Sequence, residues 1–301
     1  MTDPIVKSRF LSQPYHAAYT GALKIVTFTV LSLLALTTSA QKEKNGKWIQ
    51  LFNGKDLNDW TVKIQDHPVG DNWGNTFRVE NGVLKVSYDQ YGGQFKSQFG
   101  HIFYKKQYSA YLLVVEYRFT GEQIKDGPGW AIRNSGMMLH GQTPESMALD
   151  QDFPISMEAQ LLGGNGKDER TTNNLCTPGT NVIMNGNLFT PHCVNSTSKT
   201  YHGDQWVRAA VLVIKDSIIK HIVEGDTVLV YSKPQYDPND KWVKKANLKG
   251  GETIKQGTIS LQSESHPVEF RKVELFDLAP YLSSPAKLQA ILQQLSKQKR
   301  S

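Results

Sequence analysis

Two short stretches carry carboxylates where a sheet ordinarily carries apolar side chains. In Pro154-Ile155-Ser156-Met157-Glu158-Ala159-Gln160-Leu161-Leu162, residues Ile155, Met157, Ala159 and Leu161 alternate with Ser156, Glu158, Gln160 and Leu162. Successive side chains of a strand point to opposite faces. The stretch therefore predicts a strand with one apolar and one partly polar face, on which Glu158 and Gln160 project side by side. Gln262 and Glu264 repeat this spacing near the end of the chain. If both strands face one cleft, two carboxylates flank it, the arrangement that general acid and base catalysis uses. Either stretch alone also matches a solvated outer face, and it is the repetition that singles them out.

Other polar residues sit inside strand-like runs: Arg133, Asn134, His140, His221, His266 and Arg271. His221 lies between Ile219 and Val223 on one strand face, where a lone histidine is more often a satisfied core residue than an acid or base. His140 precedes Gly141 and reads equally as a site or a turn residue. Arg271 either clamps a carboxylate or pairs with its neighbour Glu269. Trp48, Trp60, Trp73 and Trp130 offer faces on which a sugar can stack, although indoles more often pack in a core or at its rim. The sequence has no glycine-rich phosphate loop, no HExxH and no GxSxG elbow.

Strands must position these groups. Phe77-Arg78-Val79-Glu80, the turn dipeptide Asn81-Gly82 and Val83-Leu84-Lys85-Val86 form a hairpin signature. Residues 111–119 are a β-branched and aromatic run, and residues 130–140 alternate more loosely. Residues 206–214, 217–223 and 227–231 read as a meander, and 257–263 and 268–278 as the last strands. Between them, residues 163–203 are rich in Gly, Asn, Thr and Ser without periodicity, the mark of a functional or flexible insertion. Residues 233–256 read as a surface loop rich in Pro and Lys. Only the tail has helical spacing, at Leu288, Ile291, Leu292 and Leu295 behind Ser284 and Pro285. Many short strands with turn punctuation predict an all-β sandwich or jelly roll of two antiparallel sheets with a short C-terminal helix.

Residues 1–40 read as a leader: Lys7, Arg9 and Lys24, an apolar run over 25–36, then Thr38-Ser39-Ala40 before Gln41. That is the layout of a cleaved signal peptide, with an uncleaved anchor as its rival, and it predicts a periplasmic or secreted protein with no stable membrane span after cleavage. Residues 41–282 then form the domain and 283–301 an amphipathic tail. The net charge of +6 comes from the two ends, because residues 41–282 hold 27 basic and 27 acidic residues. Such a neutral body excludes a nucleic-acid partner that would need a concentrated basic patch. Cys176 and Cys193 are the only cysteines. In an exported chain they are a candidate disulfide, with two buried thiols as the alternative.

The segment Trp48-Ile49-Gln50-Leu51-Phe52-Asn53-Gly54-Lys55-Asp56-Leu57 with Trp60 opens a series of motifs. It continues through Asn134-Ser135-Gly136, the Pro154–Leu161 stretch, Leu175-Cys176-Thr177-Pro178-Gly179, His221-Ile222-Val223-Glu224-Gly225, the Gly257–Glu264 stretch and Phe270-Arg271. In order and spacing this resembles the 3-keto-disaccharide hydrolase domain family over residues 47–278, with Glu224 departing from an expected turn Asn. The resemblance implies a concanavalin A-like jelly roll and an exported enzyme acting on an oligosaccharide or glycoside oxidised at C3. For such a reaction, which needs a base, an enolate stabiliser and an acid, Glu158 is expected as base, Arg271 or His221 as stabiliser and Glu264 as second carboxylate. Arg133, Asn134, His140, Gln160 and Gln262 are then the substrate-binding candidates. A divalent metal ion is the alternative stabiliser, with ligands from the same set. Two other functions fit the same residues: an ordinary glycoside hydrolase with two carboxylates, and a non-catalytic carbohydrate-binding module on the same fold.

Overall fold

The computed structural model describes residues 46–298; the leader over residues 1–40 lies outside them. Two antiparallel sheets make up the molecule. The first, the site sheet, has seven strands in the spatial order Cys193–Val194, Asn174–Cys176, Met157–Leu162, Asn134–Gly141, Thr258–Ser263, Gly100–Tyr104 and Trp60–Ile64. The second, the back sheet, has ten. Asn187–Phe189, Thr180–Met184, Asp226–Tyr236, Ile218–Val223, Val207–Ile214, Ala110–Phe119, Val268–Asp277, Val83–Val86 and Phe77–Glu80 follow one another, and Trp48–Gln50 pairs with the far end of Val268–Asp277. This is a concanavalin A-like jelly roll.

Alternation builds the core. Met137, Leu139, Met157, Ala159, Leu161, Ile102 and Leu261 from the site sheet meet Leu113, Val115, Val211, Val213, Phe270 and Val273 from the back sheet, all buried. At about 1.5–3 kcal/mol for each large apolar side chain removed from water, this layer holds the sandwich together. The outer face of the back sheet is closed by the helix Pro285–Gln298, whose Ile291 and Leu295 pack on Leu112, Val114, Ala210, Ile222 and Phe276. Among the described residues no helix is long and apolar enough to cross a membrane.

Local structure departs from the expectations in four places. The aperiodic insertion contains four short strands, Asn174–Cys176, Thr180–Met184, Asn187–Phe189 and Cys193–Val194, too short for a period to register. The 233–256 stretch is not all loop: Asp226–Tyr236 runs into it and Lys241–Lys245 is helical, capped by Asp240, whose side chain accepts from the backbone N–H groups of Trp242 and Val243. Gly100–Tyr104 is a fully buried strand that its sequence, Gly-His-Ile-Phe-Tyr, did not mark. The 130–140 run is a strand only from Asn134, after a 3-10 turn at Gly129–Ala131.

Candidate active site

The face of the site sheet turned away from the core is polar and yet buried. Along Met157–Leu162 the core takes Met157, Ala159 and Leu161, which leaves Glu158 and Gln160 on the other side. Register then builds rows across the sheet. Gln160 lies opposite Gly136 on one side and Asn174 on the other. Gln262 lies opposite His101, which lies opposite Lys63. Glu158 lies opposite Met138 and Cys176, and Cys176 opposite Cys193, to which a disulfide joins it.

A cavity of about 420 Å3 opens on this face, walled by Asn134, Glu158, Gln160 and Glu264 from the strands and their ends, and by Trp130, Phe153, Pro178 and His192 from loops, with the disulfide at one edge. Trp130, 55% exposed, stands at the mouth and stacks on Phe99 with ring centroids 5.8 Å apart, leaving one indole face open for a sugar. Trp48, Trp60 and Trp73 are used otherwise. Trp60 is buried with Nε1 donating to the Leu51 carbonyl, Trp48 meets Phe276 edge-on, and Trp73 packs against the core.

Both carboxyls are buried, and no Lys or Arg lines the cavity. Burial alone lifts Glu158 to about 8. Glu264 is pushed well above the usual carboxylate range, first by burial and then by the charge of Glu158. As pH rises, the pair therefore gives up its protons one at a time, the first of them above the ordinary carboxylate range. One carboxylate and one carboxylic acid then share the cavity. The Gln160 amide is oriented by Asn174, whose Nδ2 donates to Gln160 Oε1 at 3.1 Å, so the Gln160 NH2 is left as a donor.

Oxygen donors dominate this wall. Glu158 Oε1, Glu264 Oε2 and Asn134 Oδ1 are buried without a protein partner, a set whose chemistry suits a hard divalent cation. These three residues would hold it, and it would supply positive charge to an enolate oxygen. The ligand atoms of Cys176, His192 and Cys193 also lie within 4.8 Å of one another. The disulfide consumes both sulfurs, so the thiolates that zinc requires are missing there.

Of the residues singled out from the sequence, the structure brings Glu158, Glu264, Asn134 and Gln160 together. Gln262 is on the same sheet, fully buried, with neither side-chain atom bonded, and does not reach the cavity wall. The two candidate enolate stabilisers are elsewhere. His221 is buried in the back sheet between the Asn173 carbonyl, 2.9 Å from Nδ1, and the Tyr231 hydroxyl, 3.0 Å from Nε2, and burial lowers it to about 4. Arg271, also on the back sheet, donates from Nε to Glu116 at 2.6 Å and stacks its guanidinium on Trp206. Arg133 turns toward the insertion, donating to the Gly203 carbonyl and pairing with Asp204. His140, next to last in the strand Asn134–Gly141, has φ 50°, with Nε2 3.3 Å from the Lys215 carbonyl and its ring against Tyr111. None of these four lines the cavity.

A family profile described as 3-keto-alpha-glucoside-1,2-lyase-like domain matches residues 47–275. The chain belongs to this family. Membership places it among carbohydrate-active proteins. No curated protein matches the chain. Among solved structures, the chain resembles a protein from Parabacteroides distasonis provisionally named a glycosyl hydrolase, at 20% identity and a TM-score of 0.45, over 80% of this chain and 97% of that one. A second such protein from the same organism matches at 17% and 0.46, over 77% of this chain and 100% of the other. A carbohydrate-binding module from Bacillus subtilis matches at 9% and 0.43, over 73% and 96%. At these scores the likenesses carry no functional weight.

Proposed function

We propose that the protein cleaves 3-keto-glycosides by elimination across C1 and C2, followed by hydration. The observation that carries this reading is the pair of buried carboxyls, Glu158 and Glu264, in one cavity without a cationic neighbour. A 3-keto group acidifies the proton on C2. Glu158, held near 8, is a stronger base than an ordinary carboxylate and better matched to a carbon acid. It takes the C2 proton, and the electron pair moves onto the C3 oxygen. The Gln160 and Asn134 amides are the donors nearest to hand for that oxygen, in the place expected of Arg271 or His221. Collapse of the enolate forms the C1–C2 double bond and breaks the C1–oxygen bond. Glu264, still protonated, gives its proton to the leaving oxygen. Water then adds its oxygen to C1, giving up one proton to the Glu264 carboxylate, while Glu158 returns its proton to C2.

An ordinary retaining glycosidase needs one carboxylate ionised as nucleophile. The keto route needs the same two states, one carboxyl ionised and one protonated, so what favours it is the family match over residues 47–275. The deciding assay compares matched 3-keto and unoxidised disaccharides. Turnover of the 3-keto substrate alone is expected, and equal turnover of both would refute the elimination. Sugar binding without turnover of either would make the protein a binding module. Export to the periplasm or beyond is part of this reading, supported by the leader pattern of residues 1–40 and by the Cys176–Cys193 disulfide.

A further inference from the structure

The disulfide at the edge of the cavity does not itself bring its cysteines together. Cys176 and Cys193 face each other across the strand pair Asn174–Cys176 and Cys193–Val194, with Cα atoms 4.1 Å apart. Hydrogen bonds pin the two segments on either side of the bridge. On one side the His192 carbonyl accepts from the Thr177 backbone N–H at 2.9 Å and from the Thr177 hydroxyl at 3.2 Å. On the other, the Ser196 backbone N–H donates to Asn174 Oδ1 at 2.8 Å, and the Ser196 hydroxyl donates to the Thr172 carbonyl at 2.7 Å. Opening the sulfur–sulfur bond therefore leaves two thiols opposite each other.

The two sulfurs differ in access. Cys176 is buried, whereas Cys193 is exposed on a two-residue strand at the edge of the site sheet. An exposed disulfide is open to thiol exchange. A dithiol supplies the two electrons. One of its thiolates attacks the Cys193 sulfur, and the Cys176 sulfur leaves as a thiolate. The second thiol of the reductant then displaces Cys193 and closes a ring disulfide.

His192, next in the chain to Cys193, completes a third position. Its side chain is exposed, and none of the described residues hydrogen-bonds to its ring. A ring nitrogen and the two sulfurs all lie within 4.8 Å of one another. Ligand atoms around a tetrahedral zinc ion stand about 3.5–3.8 Å apart, given Zn–S and Zn–N bonds of about 2.3 and 2.0 Å. Two thiolates and a neutral imidazole are a donor set that zinc favours, and three protein ligands leave its fourth position open. The cavity that all three residues line gives room for that fourth ligand.

We infer that Cys176, His192 and Cys193 form a zinc site that exists only when the disulfide is reduced, so that the edge of the cavity exchanges a covalent bridge for a metal one. Each thiol gives up its proton as it binds the ion. Neither Glu158 nor Glu264 is among the ligands, so the site does not depend on the reaction at the carboxyl pair.

The test uses the full chain, reduced with dithiothreitol under nitrogen and then freed of the reductant. Two titratable thiols per chain are expected, with an unchanged circular dichroism spectrum. Cobalt(II), a spectroscopic stand-in for zinc, should then bind as one ion per chain at neutral pH. It should show the near-ultraviolet charge-transfer band of thiolate ligation and the visible bands of a tetrahedral ion, and zinc should displace it. The oxidised chain should show none of these bands, and neither should the Cys176→Ser, Cys193→Ser double variant. His192→Ala, a change at an exposed side chain, should weaken cobalt binding at least tenfold while both thiols still titrate. A reduced and folded chain without the charge-transfer band would overturn the site. So would an affinity unchanged in His192→Ala, a disulfide that the dithiol leaves intact, or a chain that unfolds once the bridge is open.

Discussion

The carboxyl of Glu158 lies over Gly136. A Cβ built on Gly136 would stand 2.6 Å from Glu158 Oε1, 2.8 Å from its Cγ and 3.0 Å from its Cδ. The side chain that Gly136 lacks is thus the space the Glu158 carboxyl fills. Glu158 belongs to the row of Met138 and Cys176 but delivers its charge into the row of Gln160. Gly136→Ala should therefore displace the carboxyl while leaving the sandwich intact, because the obstructing atoms are the end of a side chain. The expected result is a fall of at least tenfold in kcat on 3-keto substrates with an unchanged circular dichroism spectrum.

Removing the base is the more severe change. Glu158→Gln keeps shape and burial and removes the proton acceptor, and general base catalysis of this kind contributes about 100- to 10,000-fold. Steady-state turnover should drop by that order while titration still detects the substrate. Undiminished turnover would assign the base elsewhere.

Activity should rise with pH. The reaction needs one carboxyl of the pair ionised and the other protonated, and burial pushes Glu158 up to about 8 and Glu264 well above its ordinary range. The pH profile of kcat/KM is expected to have a rising limb near 8 and to fall only at more alkaline pH, and Glu158→Gln should lack the rising limb. A plateau from pH 5 upward would contradict this pair of roles.

The same shift bears on stability with the opposite sign. A carboxyl whose folded pKa lies above its unfolded value of 4.5 keeps its proton more tightly in the native state. Its contribution is fully present below 4.5 and is lost as pH climbs toward 8. Thermal melts should therefore show the wild type losing stability across that window, with a flatter profile for Glu158→Gln.

The disulfide closes a loop between residues 17 apart in the chain, for which chain-entropy reasoning gives about 3 kcal/mol. Replacing both Cys176 and Cys193 by Ser should lower the melting temperature by roughly 6–12 °C for a domain of this size. The change is read by calorimetry of the double variant against the wild type.

The alternation around Glu158 and around Gln262 was legible in the sequence because a strand sorts its side chains by parity, and apolar neighbours reveal which parity is the core. Parity does not say which sheet a strand joins. Arg271 and His221 have convincing strand contexts, but their strands Val268–Asp277 and Ile218–Val223 belong to the back sheet, so neither can face Glu158. Trp130 was legible as an indole on which a sugar can stack, whereas Phe153 and His192 come from loops, where no period exists to expose them. His101 and Lys63 escaped for another reason. Their strands are five residues long, and their burial comes from Phe153, packed at 5.9 Å on His101, and from the Leu149 carbonyl, which accepts from Lys63 Nζ at 3.0 Å.

Met157, Ala159 and Leu161 touch no substrate, yet they determine where Glu158 points. Slipping the strand by one residue against its neighbours would bury Glu158 among methionines and leucines and present methyl groups to the sugar. Aim and adhesion are thus two faces of one ribbon: the grease on the inside sights the carboxylate on the outside. Substitutions deep in the sandwich that loosen this registration should then reduce turnover before they reduce folding.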